Sequence, residues 1–291
     1  MSFRAPSQGS VARLRSRVED MPVMAFVGRL TTRFLVVNSV EAATTLAAKV
    51  FLAGVPALFV FAAFAPEALR EELVDSLRAV LGLPAGSLDE VSRVHDAGSH
   101  LRQQTGAASA VFTLLMAAQV ARSLQRLCRR AWFVRAVGFS PRLIGRWVLC
   151  LSVWLIVLLL QSQLHSGFGA GAWLGVVVLF VAWVLVWWWT QHLFLEGRIG
   201  WWPLLPSALL TALGTVGVQY GSHLVMPRAV ARSVAEFGPF GLMLTLMSWL
   251  VAASAVVVFA ITIGAFVAEE EPLRSLLGAP EPPRHIDPRQ V

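Results

Sequence analysis

The chain has 291 residues, of which 56% are hydrophobic and 14% are charged, and its mean hydropathy of +0.66 excludes an ordinary soluble globular protein. The net charge of +7 would allow nucleic acid as a partner, but the arginines cluster at the ends of apolar segments instead of forming one continuous stripe. The expected partners are therefore membrane lipids, through the anionic headgroups of the cytoplasmic face, and not nucleic acid.

The chain begins with a cytoplasmic, arginine-rich segment at residues 1–35, in which an interfacial amphipathic helix is expected to run into the first membrane span. A transmembrane domain follows at residues 36–268, and a proline-rich cytoplasmic tail occupies residues 269–291. Six apolar segments in the domain each approach the roughly 20 residues that a helix needs to cross a bilayer. Their approximate bounds are 42–64, 105–124, 147–164, 173–193, 204–225 and 240–268. Because nothing resembles an alternating strand, the predicted fold is all-α, a polytopic bundle of six transmembrane helices.

The longest connector outside the predicted spans is the insert at residues 65–104. Leu69, Leu73 and Leu77 recur at helical spacing, and Ser87 with Glu90 forms a capping box for a second helix. This pattern predicts a small extracytoplasmic helical cap.

The arginines predict the orientation of the bundle. Seven of them and no acid lie between residues 122 and 146, which is typical of a connector on the cytoplasmic side. With six spans and both termini inside, the cytoplasmic segments hold 17 arginines and the outer segments hold 6. The sequence therefore predicts a cytoplasmic arginine-rich loop at 122–146 and an N-in, C-in topology.

Lys49 lies inside the first predicted span, with Glu41 two turns earlier on a similar face. An ionisable group at membrane depth is a candidate binding residue, because moving it out of water costs at least ~2.5 kcal/mol. The alternative is that Lys49 extends its amine back to the cytoplasmic boundary while Glu41 stays among the headgroups.

Gln119 and Arg122 lie at the inner end of the second predicted span and face the same way, at near-helical spacing with Ser123 and Arg126. They could form a polar constriction or a site for a lipid phosphate, since a guanidinium holds phosphate through two parallel hydrogen bonds. The alternative is that they only anchor the end of the span at the cytoplasmic surface.

No pattern in the sequence indicates catalysis or a bound metal. A metal site needs convergent ligands, such as two histidines at i and i+4 with an acid, and this spacing does not occur. A serine or cysteine nucleophile with an evident base is also missing, and Cys128 and Cys150 are interpreted as reduced structural residues. The chain is therefore predicted to be neither an enzyme nor a cofactor-binding protein.

Span five contains Gly214, Gly217 and Gly221. Small residues at this spacing allow the backbone of a neighbouring helix to approach closely. We expect this helix to pack tightly against another span.

Four stretches of the chain resemble the YihY/BrkB family of bacterial inner-membrane proteins, once labelled ribonuclease BN. They are residues 47–58, which end in Gly-Val-Pro-Ala-Leu; Gly106-Ala-Ala-Ser; Pro203-Leu-Leu-Pro-Ser-Ala-Leu-Leu-Thr-Ala; and Phe237-Gly-Pro-Phe-Gly241 with Trp249. The likeness covers roughly residues 30–270 and implies a six-span protein of the bacterial plasma (inner) membrane. Export or flipping of lipid-linked material has been suggested for members of that family, and the ribonuclease label is regarded as mistaken.

The chain departs from the family pattern in two places. Ala48 and Lys49 stand where aromatic residues are common, and Gly264-Ala265-Phe266 stands where the family often has Gly-Ala-Glu. A mechanism that used this acid is therefore not available to the chain.

Two classes of function are compatible with the sequence. The first is a transporter or a lipid-handling protein that exports or flips its substrate, and the alternative is a non-transporting structural or interaction protein of the membrane. A polar path through the bundle would favour the first, and a solid apolar core would favour the second. A ribonuclease is disfavoured because it would require clustered acids, a general base or a metal site.

Overall fold

The computed structural model describes residues 22–64, 102–134, 141–160, 172–271 and 273–280, and these residues form helices and short turns with no β-strand among them. We number the α-helices in chain order, with one 3₁₀ turn at Trp202–Leu204 between α5 and α6. They are α1 (Pro22–Val37), α2 (Ser39–Phe64), α3 (Arg102–Ala131), α4 (Pro141–Leu159), α5 (Ala172–Phe194), α6 (Leu205–Phe237), α7 (Pro239–Glu269) and α8 (Leu273–Leu277). The predicted all-α fold is confirmed for this part of the chain.

Helices α2 to α7 fall on the six predicted apolar segments, but not all of them are long and apolar enough to count as membrane spans. Within the described residues, Gly175–Phe194 and Phe240–Glu269 meet that criterion by length and composition. The segments Phe26–Val37 and Ser39–Gly54, bent by 45°, make a third if they form one broken span. Helix length and composition therefore support two or three membrane spans in the described residues, and the number six remains a prediction.

Helices α1 and α2 are separated by a single residue, Asn38. Its φ of 54° lies in the left-handed region, which asparagine adopts more readily than most residues. Ser39, the next residue, donates from Oγ to the Phe34 carbonyl across this break. The predicted N-terminal helix thus corresponds to α1, whereas residues 1–21 lie outside the described residues.

The segment predicted as an arginine-rich loop is partly helical. Residues 122–131 form the last turns of α3, and α4 already begins at residue 141. Arginine is a good helix former, so the polar end of α3 continues the helix past the apolar part. The predicted outer insert at 65–104 lies outside the described residues except for its last three, which start α3, and the end of the tail at 281–291 also lies outside them.

Helices α6 and α7 form a tight antiparallel hairpin whose turn is Gly238, with φ 61°. A Cβ on Gly264 of α7 would overlap the Ser207 backbone, and one on Gly214 would lie 2.6 Å from Val256 Cγ1. The predicted close approach is therefore confirmed at Gly214. Among the described residues, no atom beyond the neighbouring backbone of α6 lies within 4 Å of a Cβ built on Gly217, so that glycine is not needed for this contact.

Ion pairs join the helix ends at one end of the bundle, which we call the arginine end. Arg33 of α1 pairs with Glu269 of α7 at 2.6 Å, and it also donates to the Ala131 carbonyl at the end of α3. Arg129 of α3 pairs with Glu196, which follows α5. Both pairs are largely buried, so part of the arginine cluster stabilises the fold instead of facing outward.

Candidate functional site

A groove between α2 and α3 lies near the arginine end and has a volume of about 180 Å³. Its lining combines charged, hydroxyl and apolar side chains. These are Glu41, Ala42 and Thr45 of α2, with Ser123, Arg126, Leu127 and Arg130 of α3. We call it the α2–α3 groove.

The α3 wall of the groove follows from helix geometry. Ser123, Arg126, Leu127 and Arg130 are spaced at i, i+3, i+4 and i+7, so they share one face of α3. Arg126 and Arg130 stand one turn apart on that face, and Leu127 of the same face is buried against the core. The face therefore presents two guanidinium groups beside an apolar surface.

Lys49 turns toward α3. Its Nζ donates a 2.6 Å hydrogen bond to Ser123 Oγ, and the side chain is half-buried. Arg126 Nη2 lies 3.4 Å from the same hydroxyl oxygen. Ser123 thus brings the lysine of the first predicted span and an arginine from the polar end of α3 to one point.

Glu41 lies in the first turn of α2 and is the carboxylate of the groove. The Asn38 side-chain amide donates to Glu41 Oε2, which ties the carboxylate to the break between α1 and α2. With Lys49, Arg126 and Arg130 nearby, the site holds three cationic groups and one anionic group. The net charge of the site is positive, which suits an anionic ligand.

The structure separates Arg122 from this group. The Arg122 guanidinium lies over the Trp147 ring of α4, with Cζ 4.7 Å from the ring centroid. Arg122 precedes Ser123 by one residue, which turns its side chain by roughly 100° around the helix. Gln119 is half-buried on α3 and does not line the α2–α3 groove.

Of the four residues singled out in the sequence, Glu41 lines the groove, Lys49 lies beside it through its bond to Ser123, and two lie elsewhere on α3. Lys49 and Glu41 belong to the site, while Arg126 and Arg130 take the place expected for Arg122 and Gln119. The signal that identifies Arg126 and Arg130 in the sequence is their spacing from Ser123, at i+3 and i+7.

A buried hydrogen-bonded bridge supports α3 from behind the groove. Gln125 accepts from Trp147 Nε1 at 3.1 Å and donates to the Phe194 carbonyl at 3.3 Å, so it connects α3 to α4 and α5. Gln125 is 4% exposed, and its side chain is therefore fixed by these partners.

In the described part of the chain, no group of three or more His, Cys, Asp or Glu side chains has the arrangement that could hold a metal ion. The cationic and hydroxyl groups of the α2–α3 groove are suited instead to binding an anion through hydrogen bonds.

A comparison with protein families matches residues 30–284 to a family described as Virulence factor BrkB. Neither a curated protein nor a solved structure shows a significant match. The matched range includes all of α2 to α8 and therefore both walls of the α2–α3 groove.

Proposed function

The chain belongs to the family described as Virulence factor BrkB, and on this premise we propose that it is a lipid-handling protein that binds a phosphate-bearing amphiphile in the α2–α3 groove. It would act as a six-span protein of the bacterial inner membrane, with both termini and the arginine end in the cytoplasm. The family is not a known enzyme family, and the proposed role is binding and movement of a lipid or lipid-linked substrate instead of catalysis.

The observation that carries the proposal is the charge arrangement around Ser123. Arg126 and Arg130 on one helix face can each give a phosphate two parallel hydrogen bonds, and Lys49 adds a third positive charge beside Ser123. A simple anchor at the membrane surface would not require Lys49 to turn inward to a hydroxyl of another helix.

The surroundings of the groove suit the apolar part of such a substrate. Exposed apolar side chains continue along both helices from the groove toward the expected bilayer centre. They are Leu52 on α2 and Phe112, Leu114 and Leu115 on α3. In the proposed complex, acyl chains lie along these surfaces while the phosphate occupies the cationic groove.

Glu41 supplies the opposing charge in the same groove. Because like charges repel, this carboxylate lowers the affinity of the groove for an anionic headgroup and favours its release. A site with only cations would hold a phosphate more tightly and release it more slowly, which would hinder transport.

A second function, that of a non-transporting interaction protein, is favoured by the buried ion pairs at the arginine end. Arg33 with Glu269 and Arg129 with Glu196 fix the helix ends, which would suit a static platform. On this reading, Arg126 and Arg130 hold anionic lipid without moving it.

Binding is tested with the purified protein by native mass spectrometry in the presence of phosphatidic acid and, separately, phosphatidylcholine. We expect preferential binding of phosphatidic acid, and the double variant R126Q/R130Q should lose that preference. The matched control is R228Q/R232Q, which removes an arginine pair of the same spacing from an exposed face of α6. An equal loss in both variants, or no loss in either, would overturn the proposal.

Transport is tested separately by reconstituting the parent protein in vesicles and following a fluorescent phosphatidic acid between leaflets. Movement that requires the protein and fails in R126Q/R130Q supports lipid handling. Normal binding without any movement supports the interaction protein.

A further inference from the structure

Helices α5 and α6 face each other with polar side chains at three successive levels. On α5 they are Trp183, Trp187 and Gln191, and on α6 they are Thr211, Thr215 and Gln219. Each set is spaced at i, i+4 and i+8, so each occupies one face of its helix. Five of the six side chains are buried, Thr215 is half-buried, and we call this arrangement the polar seam.

The middle level of the polar seam is closed by a hydrogen bond between the helices. Trp187 Nε1 donates to Thr215 Oγ1 at 3.0 Å. Because α5 and α6 run antiparallel, a residue one turn before Trp187 on α5 lies at the same height as a residue one turn after Thr215 on α6. Trp183 is therefore level with Gln219, and Gln191 is level with Thr211.

The two flanking levels contain polar atoms that have no partner among the described residues. These atoms are Trp183 Nε1, the side-chain amide nitrogen and oxygen of Gln219, and the side-chain amide nitrogen and oxygen of Gln191. The exposed fractions of Trp183, Gln219 and Gln191 are 7%, 2% and 0%. Buried amides and indoles normally have hydrogen-bond partners, and the requirement is stronger in a membrane, where lipid offers none.

The chemistry of the seam selects an uncharged, small ligand. The described seam residues carry no ionisable group, and the unpartnered atoms include donors on Trp183 and Gln219 and an acceptor on Gln219. A water molecule can accept from an indole, donate to an amide oxygen and accept from an amide nitrogen at one point. Buried waters typically make about three hydrogen bonds to otherwise unsatisfied groups of this kind.

We propose that the flanking levels of the polar seam are binding sites for water, one between Trp183 and Gln219 and one at Gln191. The Trp187–Thr215 bond separates the two sites. The polar face of α6 extends on both sides through Ser207 and Ser222, which are fully buried. Bound water would make the interface between α5 and α6 polar inside. This property does not depend on the α2–α3 groove or on the proposed lipid.

The sites are tested by X-ray hydroxyl-radical footprinting of the intact purified protein, in which radicals formed from water oxidise side chains beside that water. Trp183, 7% exposed, should be oxidised several times faster than Trp147, a 4% exposed indole whose Nε1 donates to Gln125. The variant Q219M should reduce the oxidation of Trp183 without changing that of Trp147. Oxidation of Trp183 at the rate of Trp147 or below it would overturn the proposal, including the case in which Trp183 and Gln219 bond directly to each other.

Thermal unfolding gives a second measurement, because the change in Tm caused by Q219M differs in direction between a hydrated and a dry site. If Gln219 is hydrated, Q219M removes hydrogen bonds and should lower the Tm by a few degrees. If the site is dry, the same variant removes an unpaired amide from an apolar site and leaves the Tm unchanged or raises it, which counts against the proposal. The variant T215V, which removes both the acceptor of the Trp187 bond and the donor to the Thr211 carbonyl, provides a scale for the loss of known hydrogen bonds in the seam.

Discussion

Lys49 Nζ and Ser123 Oγ are joined by a 2.6 Å hydrogen bond that connects α2 to α3 beside the α2–α3 groove. A lysine that only anchored its helix would extend toward the headgroups, but this amine turns to a hydroxyl of a neighbouring helix. The bond places the charge of Lys49 beside Arg126, whose Nη2 lies 3.4 Å from the same oxygen. This relationship underlies the proposed phosphate site.

Replacing Lys49 with glutamine should weaken the binding of phosphatidic acid by about tenfold or more, since hydrogen bonds to charged groups contribute about 1.5–3 kcal/mol. Glutamine keeps the polarity and removes the charge. The dissociation constant of the purified protein is measured by titration with the lipid in detergent. The variant S123A is the companion measurement, and it should show a smaller loss because Lys49 keeps its charge. Unchanged affinity in K49Q would place the binding site elsewhere.

Breaking the Arg33–Glu269 pair should destabilise the bundle strongly. The side chains are 7% and 6% exposed, and E269Q would leave the arginine without its counter-charge. Breaking a buried ion pair in this way costs about 3–5 kcal/mol, which should appear as a large fall in Tm.

The neighbouring Arg29–Glu270 pair is the matched control for that experiment. It joins α1 to the end of α7 at 3.0 Å, but its side chains are 59% and 31% exposed. Exposed pairs contribute about 0–1 kcal/mol, so E270Q should change the Tm little. Equal changes in Tm for E269Q and E270Q would contradict the greater burial of the Arg33–Glu269 pair.

Replacing Gly264 with alanine should destabilise the α6–α7 hairpin by about 1–3 kcal/mol, because the added Cβ overlaps the Ser207 backbone. The control is Gly217→Ala on α6, where the described residues place no atom of another helix within 4 Å of the new Cβ. That change should be neutral or slightly stabilising, since alanine is the better helix former. The comparison is made by thermal unfolding, and a G264A protein as stable as the parent would show that the helices are not in close contact there.

The predicted topology places Arg198 in the cytoplasm and Ala235 outside. Single cysteines at these two positions, in a chain with Cys128 and Cys150 replaced by alanine, are to be labelled in intact cells with a maleimide that does not cross the membrane. Cys128 and Cys150 are buried, so their removal is expected to leave the surface unchanged. Only the cysteine at 235 should react, and the reverse pattern would contradict the N-in, C-in orientation.

Much of the fold follows from the sequence because long apolar runs leave few alternatives to helices. The positions of α2 to α7 follow the apolar segments, and the close contact at Gly214 follows from its small side chain. The helix ends were harder to predict. Polar turns continue α3 to Ala131 and α6 to Phe237, and hydropathy alone does not detect them.

The candidate site was predicted only in part, because the sequence does not determine how a helix is rotated about its axis. Lys49 and Glu41 are on a face that packs toward α3, but a rotation of roughly 100° separates Arg122 from Ser123 on that helix. The polar seam does not follow from the sequence for a related reason. Gln191 and Gln219 lie near the ends of the predicted spans 173–193 and 204–225, and their burial depends on the packing of α5 against α6.

The phosphate site in the α2–α3 groove is tested most directly by site-resolved cross-linking with a photoactivatable phosphatidic acid that carries its reactive group near the phosphate. We expect cross-links within residues 41–45 and 123–130 that unlabelled phosphatidic acid competes away and that R126Q/R130Q lacks. Cross-links spread equally over exposed positions of α6 such as Leu213 and Leu224, unaffected by that variant, would contradict a phosphate site in the α2–α3 groove.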